Sequence, residues 1–320
     1  MFLVGLQGSP RKDGNTSILL DSFLNEAKDS GARICKIEVT DEEITPCKEC
    51  GTCEKGGFCP INDNMQRIYP LLRQADLVVM ATPIFFYGPT AQMKALIDRS
   101  QALWSRRYIH KLTDPGQRWR KGFLLALGAT KGQNLFEGTI LTAKYFFDAI
   151  GADFEGSLTY RKIEKPGDIG NHPTAIYDTK KKASLLIEPG INKKKLLFIC
   201  RENACRSQMA SAFARYYLGD RFESEDAGSM PADNINLVME EVMKESGIDM
   251  SYRKPKSIED ALDKIDPDAV ISMGCGDECP YLPGIKPQEW DLPDPSDKPI
   301  AYMRKIRDEI EKKVRNLVIQ

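Results

Sequence analysis

Histidine is almost missing from this chain. Its 320 residues include only His110 and His172. That excludes a histidine-based catalytic triad and a His-rich metal site, and leaves acid–base and nucleophilic work to Cys, Asp and Arg. An excess of charge of one sign is lacking too. Lys and Arg total 45 against 46 Asp and Glu, for a net charge of −1. Bulk electrostatics therefore point to neither a nucleic acid nor an anionic membrane as partner. No apolar run approaches the roughly 20 residues of a membrane span. The opening "MFLVGLQGSPRKDG" has no basic leader region, and its apolar core is too short for a signal peptide. The expectation is a cytoplasmic protein. Repeats of solenoid period and low-complexity tracts are likewise missing.

Cysteine is what the chain has in excess. It has nine, and eight of them cluster: Cys47, Cys50, Cys53 and Cys59, then Cys200 and Cys205, then Cys275 and Cys279. Only Cys35 stands apart. In a reducing compartment, such clusters indicate metal ligation or redox chemistry rather than structural disulfides.

The length suggests about two domains. "MFLVGLQG", "ARICKIEV", "ADLVVMATP" and "KGFLLALGA" read as buried strands with helical patterns between them. Strand–helix alternation predicts a doubly wound parallel sheet, with ligands at the C-terminal strand ends. The pattern then decays into a Pro-, Gly- and Lys-containing stretch, which predicts a boundary between residues 187 and 194. "KLLFIC", "FESEDAGS" and "PDAVISMG" restart it, with helices at "NINLVMEEVMKESG" and at the C-terminus. The expectation is two α/β domains with doubly wound parallel sheets, over 1–188 and 193–320.

After the first strand, "QGSPRKDGNTS" gathers Ser9, Arg11, Asn15, Thr16 and Ser17 at a helix N-terminus. Hydroxyl, amide and guanidinium donors beside free backbone N–H groups suit a phosphate monoester. Simple helix capping by Asn15 or Thr16 accounts for one of these residues, not for the whole loop. The third strand runs into Pro83, Ile84, Phe85, Phe86, Tyr87 and Gly88. This aromatic loop could form the flat wall and amide edge that an isoalloxazine ring needs, or it could pack the core. The cysteines at 47, 50, 53 and 59 follow C-x2-C-x2-C-x5-C, with Pro60 after the last. That run is similar to ferredoxin-type cluster motifs. Zinc and metal-free cysteines stay open as alternatives. The basic stretch from Arg99 to Lys121 reads as a nicotinamide-phosphate surface, an oligomer contact or a solvated face.

On "GSPRKDGNTS", "CKECGTCEKGGFCPINDNM" and "TPIFFYGPTAQMKALIDR", residues 1–185 resemble the NAD(P)H-dependent FMN reductases and iron–sulfur flavoproteins of the flavodoxin-like fold. The resemblance implies FMN, hydride uptake from NAD(P)H, and a homodimer or tetramer; a [4Fe–4S] cluster on Cys47, Cys50, Cys53 and Cys59 is the first of the three readings of the ferredoxin-like run.

In the second half, Cys200 ends a strand and Arg206 opens a helix. The intervening amides can curl around a tetrahedral oxyanion while the guanidinium grips two of its oxygens. The same amides and the helix N-terminus favour Cys200 as a thiolate nucleophile. Ser207 can donate to its sulfur, and Asn203 can fix the loop's shape. A phosphatase needs only this loop and a general acid, whereas a reductase needs further thiols. Cys275 and Cys279 supply those. Asp294, held extended before Pro295, is the expected general acid, with Asp291 as the alternative.

On "CRENACRSQMA", "MGCGDECP" and "DLPDP", residues 194–320 resemble the arsenate reductases of the low-molecular-weight phosphatase fold. The resemblance implies attack of Cys200 on arsenate and a second attack by Cys275 that releases arsenite. A final 275–279 disulfide is then left for an external reductant such as thioredoxin. Two features depart from the pattern: only three residues separate Cys275 and Cys279, and the charged pair Arg201–Glu202 follows the nucleophile. The fusion suggests that the flavin half feeds electrons to the reductase half. A tyrosine phosphatase joined to an independent flavin or quinone reductase, and a redox- or arsenite-sensing thiol protein, are the alternatives.

Overall fold

The computed structural model describes residues 1–274 and 285–318. The chain forms two compact units. The first comprises Met1–Lys111 and Gln117–Ile191, the second Leu112–Gly116 and Asn192–Gln320.

The first unit follows strand–helix alternation. Its elements are β1 (Phe2–Gln7), α1 (Asn15–Asp29), β2 (Arg33–Glu38), α2 (Thr52–Gly56), α3 (Met65–Gln74), β3 (Leu77–Pro83), α4 (Ala91–Arg99), α5 (Gln101–Tyr108), β4 (Lys121–Gly128), α6 (Glu137–Ala149), β5 (Asp153–Arg161) and α7 (Ala175–Ile191). The five strands are all parallel, in the order β2-β1-β3-β4-β5. Strand order reverses between β1 and β3, so the loops after these two strands flank the crevice where such sheets bind ligands. β1 is buried along its whole length, as an inner parallel strand must be. α1 buries Leu19, Leu20, Phe23, Leu24 and Ala27, a stripe at helical spacing, and ends before Gly31 at φ +93°.

Two elements escape the sequence reading. β5, "DFEGSLTYR", lies at the sheet edge with mostly half-buried residues, so its apolar signal is weak. Gly156, at φ +103°, sits where the register with β4 shifts. The Pro-, Gly- and Lys-containing stretch that leads up to the expected boundary contains α7, and the two units divide after its last residue, Ile191. Ala175, Thr179, Ala183, Leu186 and Ile187 are buried at helical spacing, and Pro189 lies in the last turn. His172 caps this helix, its Nδ1 accepting from the Thr174 and Ala175 amides at 3.3 and 3.2 Å.

The second unit continues with β6 (Lys194–Cys200), α8 (Arg206–Leu218), β7 (Phe222–Gly228), α9 (Leu237–Glu245), α10 (Ile258–Leu262), β8 (Ala269–Met273), β9 (Gln288–Glu289) and α11 (Ile300–Arg315). Its strands are parallel in the order β7-β6-β8-β9, with the switch between β6 and β8. Phe198, Met209, Phe213, Met243, Ile306 and Ile310 belong to its main core. No helix among the described residues is long and apolar enough to cross a membrane.

Candidate functional site

In the second unit, the C-x5-R segment is a loop between β6 and α8. Its carbonyls point outward. Those of Cys200, Arg201, Glu202 and Ala204 accept from the amides of Ser229, Met230, Ala232 and Asn236 at 3.2, 2.8, 3.0 and 3.0 Å. Among the described residues, no amide from Glu202 to Ser207 donates to a protein group. With the carbonyls engaged and the amides free, the loop is built to cradle an anion.

Asn203 holds the loop's shape. It sits at φ +50°, a left-handed conformation that Asn tolerates. Its Nδ2 donates to Ser207 Oγ at 2.8 Å and to Asp226 Oδ1 at 3.0 Å. Its Oδ1 accepts from Gln208 Nε2 at 3.2 Å and from the Lys256 amide at 2.9 Å. Ser207 Oγ lies 3.0 Å from the Sγ of Cys200, which is 2 % exposed. Nucleophile, loop residue and hydroxyl thus form one connected group.

Arg206 is buried beneath the loop. Its Nη1 donates to Leu292 O at 3.0 Å and its Nη2 to Asp294 Oδ2 at 2.7 Å. Between the two expected acids, the structure therefore brings Asp294 to the site. Asp291 is exposed and takes no hydrogen bond from Arg206. Burial opposes ionisation of Asp294. Hydrogen bonds from Ser296 and the charges of Arg206 and Arg201 outweigh this and hold the carboxyl below its ordinary value. Asp294 is thus a carboxylate paired with Arg206. Cys205 behaves differently from the expected nucleophile. Burial, reinforced by the neighbouring Cys200, pushes its thiol up to about 12. Cys275 and Cys279 lie outside the described residues.

Sequence reasoning missed the layer behind the loop. Asp226, 1 % exposed, is bound by Arg253 Nη2 at 2.7 Å and Lys256 Nζ at 3.0 Å. Burial disfavours its charge, but Lys256, Arg253 and Asn203 prevail and its carboxyl lies far below the usual range. The available signal was an acidic residue inside the polar strand "FESEDAG".

In the first unit, the loop after β1 is tied to that after β3. The Gly8 amide donates to Ala81 O and Thr90 Oγ donates to Gly8 O, at 2.8 and 2.7 Å. The five expected phosphate ligands divide into two groups. Asn15 is occupied elsewhere, donating to Lys165 O at 2.8 Å and accepting from the Ile169 amide at 3.2 Å. Ser17 bonds Asp21 and Lys36 at 3.1 and 3.0 Å. Ser9 Oγ accepts from the Arg11 amide at 3.1 Å, while Arg11 reaches Glu164 O at 3.4 Å. Thr16 is buried beside them in the first turn of α1, where backbone N–H groups have no intrahelical partner. Gln7, which the sequence reading passed over, is fully buried, and its Nε2 lacks a partner among the described residues. An orphaned donor beside a helix N-terminus fits a phosphate.

Phe85, Phe86 and Tyr87 are exposed, which rules out core packing. The Phe85 and Gly88 amides and carbonyls bond reciprocally at 2.9 and 3.0 Å. This tight turn forces Phe86 and Tyr87 to φ +49° and +64°. Backbone strain of this kind clusters at ligand-binding loops. A Cβ on Gly138 would lie 2.7 Å from Tyr87 O, so α6 approaches this turn closely.

The four cysteines lie on one loop around α2. Cys47 and Cys50 are exposed, and Cys53 and Cys59 are partly buried. Burial raises the Cys53 thiol, and the other three raise it further, so all four share one neighbourhood. A hydrogen bond from Thr52 lowers Cys50. Among the described residues, no three potential ligands stand at metal-holding separation. The donor set itself fits a soft metal or a cluster. The basic stretch is divided: Arg99, Arg106 and Arg120 are buried, whereas Lys111 and Arg118 are exposed.

The fold and the sites define the class. The chain is an FMN-reductase-type flavodoxin-like domain followed by a low-molecular-weight-phosphatase-like domain. Models of the NADPH-dependent FMN reductases and of the low-molecular-weight phosphotyrosine protein phosphatases match residues 1–138 and 195–320 respectively. The relatives are more particular. An iron-sulfur flavoprotein of Archaeoglobus fulgidus is 34 % identical over 143 residues, 44 % of this chain and 70 % of that one. That of Methanosarcina thermophila is 38 % identical, and the chain spans 58 % of its length. Arsenate reductase 2 of Staphylococcus haemolyticus is 35 % identical over 38 % of this chain and 93 % of its own. The solved thioredoxin-dependent arsenate reductase of Corynebacterium glutamicum is 33 % identical, covering 45 % of this chain and 73 % of that chain with a TM-score of 0.34. The chain belongs by its first half to the iron–sulfur flavoproteins and by its second to the arsenate reductases, and both halves are of oxidoreductase families.

Proposed function

We propose that this protein reduces arsenate to arsenite at the Cys200–Arg206 loop, with electrons supplied from NAD(P)H through the flavin half. The observation that carries the reading is the loop itself. Its free amides, Arg206 and the Cys200–Ser207 pair converge where a tetrahedral oxyanion would sit. Cys200 Sγ attacks arsenic, and the proton its thiol gives up passes through the Asp294 carboxylate, released once the bound oxyanion has taken over Arg206, to an arsenate hydroxyl, which leaves as water. Cys275 then attacks Cys200 Sγ. The sulfur–arsenic electron pair stays with arsenic, arsenite leaves, and a 200–275 disulfide forms. Cys279 attacks Cys275, frees Cys200 and leaves a 275–279 disulfide. Two electrons are needed to reopen it. The Corynebacterium relative is named as thioredoxin-dependent; here a flavin domain on the same chain raises the effective concentration of a reductant.

FMN would be held by Gln7, Ser9, Arg11, Thr16 and the first-turn amides, with its ring at Pro83–Gly88, and it supplies hydride acceptance and electron release when bound. A cluster on Cys47, Cys50, Cys53 and Cys59 would supply one-electron storage. Asp294 beside the anion loop also favours a second reading, phosphomonoester hydrolysis. Anaerobic assay of arsenite and of p-nitrophenol release separates the two. Arsenite production without sustained phosphatase turnover is expected; the reverse would sink the reductase reading.

A further inference from the structure

The buried guanidinium of Arg99 ties together both ends of the cysteine loop. Arg99 ends α4 and is 1 % exposed. Its Nη1 donates to Thr45 O at 2.8 Å, just before Cys47. Its Nη2 reaches Ile61 O at 3.3 Å, just after Cys59. Both nitrogens also grip Asp63, at 2.6 and 3.1 Å. Asp63 in turn accepts from the Thr45 and Met65 amides at 2.9 and 3.1 Å. Tyr69 fixes the clamp from behind by donating to Arg99 O at 2.8 Å. The middle of the loop is held from α5. Ser105 Oγ donates to Cys53 O at 2.8 Å, and Arg106 Nη1 to Gly57 O at 3.3 Å. The Arg106 guanidinium lies 4.5 Å from the Phe58 ring centroid. Each of these bonds goes to a backbone carbonyl or to Asp63. These bonds fix the backbone that carries the cysteines without engaging their sulfurs.

We propose that Arg99, with Ser105 and Arg106, holds the backbone of residues 45–63 closed, so that Cys47, Cys50, Cys53 and Cys59, which do not yet stand at metal-holding separation, need only gather around a metal. This rests on reading Cys47, Cys50, Cys53 and Cys59 as ligands. A mobile loop would have to be ordered at the expense of metal affinity, because closing a loop has an entropic cost that grows with its length. Here the clamp has already closed it. Arg99 acts through the loop and touches no ligand sulfur, so it is a positioning residue. A lysine cannot replace it, since one ammonium lacks the planar fork that spans Thr45, Ile61 and Asp63.

The test is anaerobic titration of the full-length, metal-free chain with Co2+, read by thiolate-to-cobalt charge-transfer absorbance, with Cys53→Ser as background. The wild-type chain is expected to bind one Co2+ above that background. Arg99→Met and Arg99→Lys are expected to weaken binding about 10- to 100-fold, the usual effect of losing an outer-shell partner, with FMN content and far-ultraviolet dichroism retained. If Arg99→Met fails to fold, Ser105→Ala decides, with severalfold weaker binding expected. Unchanged cobalt affinity in a folded Arg99→Met, or in Ser105→Ala where that variant decides, overturns the role of the clamp. No wild-type signal above background overturns the four-thiolate reading itself.

Discussion

Cys200 and Cys205 lie five positions apart on one loop, and their surroundings give them different chemistry. Cys205 is buried, and with its thiol pushed up to about 12 it stays protonated at neutral pH. Cys200 faces Ser207 and the free amides. Cys200→Ser is expected to abolish arsenite production. Cys205→Ala is expected to keep most of it and to cost about 1 kcal/mol of stability from the small cavity, measured by urea denaturation. Because folding raises the Cys205 thiol above its ordinary 9.0, its stabilising contribution is complete below pH 9 and falls as pH rises beyond that. Asp226 has the opposite sign. Its folded carboxyl lies below the ordinary 3.8, so its stabilisation is present above pH 3.8 and lost as pH falls below it. Asp226→Ala removes the buried carboxylate from Arg253 and leaves Lys256 with Glu225 as its ion-pair partner. It is expected to destabilise the second unit by about 3–5 kcal/mol. A loss below 1 kcal/mol in urea melts at pH 7 would contradict this. Cys200, Arg206, Ser207 and Asn203 were legible because their spacing is itself the motif. Asp226, Lys256 and Arg253 were not, because only folding brings β7 and the chain before α10 behind the loop.

Among the elements, β7 ends where the anion loop begins. A Cβ on Gly228 would lie 2.8 Å from Arg201 O and 2.8 Å from the Asn203 amide nitrogen, both backbone atoms that cannot swing away. Gly228→Ala is therefore expected to displace the loop. The cost in stability should be about 1–3 kcal/mol, with arsenite production falling much more than urea stability. Equal activity would show that the loop tolerates a shift. Inner strands such as β1, β3 and β6 were legible because burial on both faces leaves a continuous apolar run. β5 was not, since an edge strand with a glycine at a register shift carries no such run. α7 hid behind Pro, Gly and Lys, residues that mark a boundary in isolation. Its buried stripe meets α1, a partner visible only once the sheet has formed.

For the whole molecule, the two halves belong to oxidoreductase families, and their covalent linkage is a feature that neither family explains alone. If the first half supplies electrons, NAD(P)H oxidation and arsenite release should run one to one. The most direct measurement is anaerobic arsenite production from arsenate by the full-length chain with NAD(P)H alone, beside Cys275→Ser. Multiple turnovers that vanish in the variant are the result expected. Turnover only after thioredoxin is added would contradict the internal electron supply, and no arsenite under either condition would contradict arsenate reduction itself.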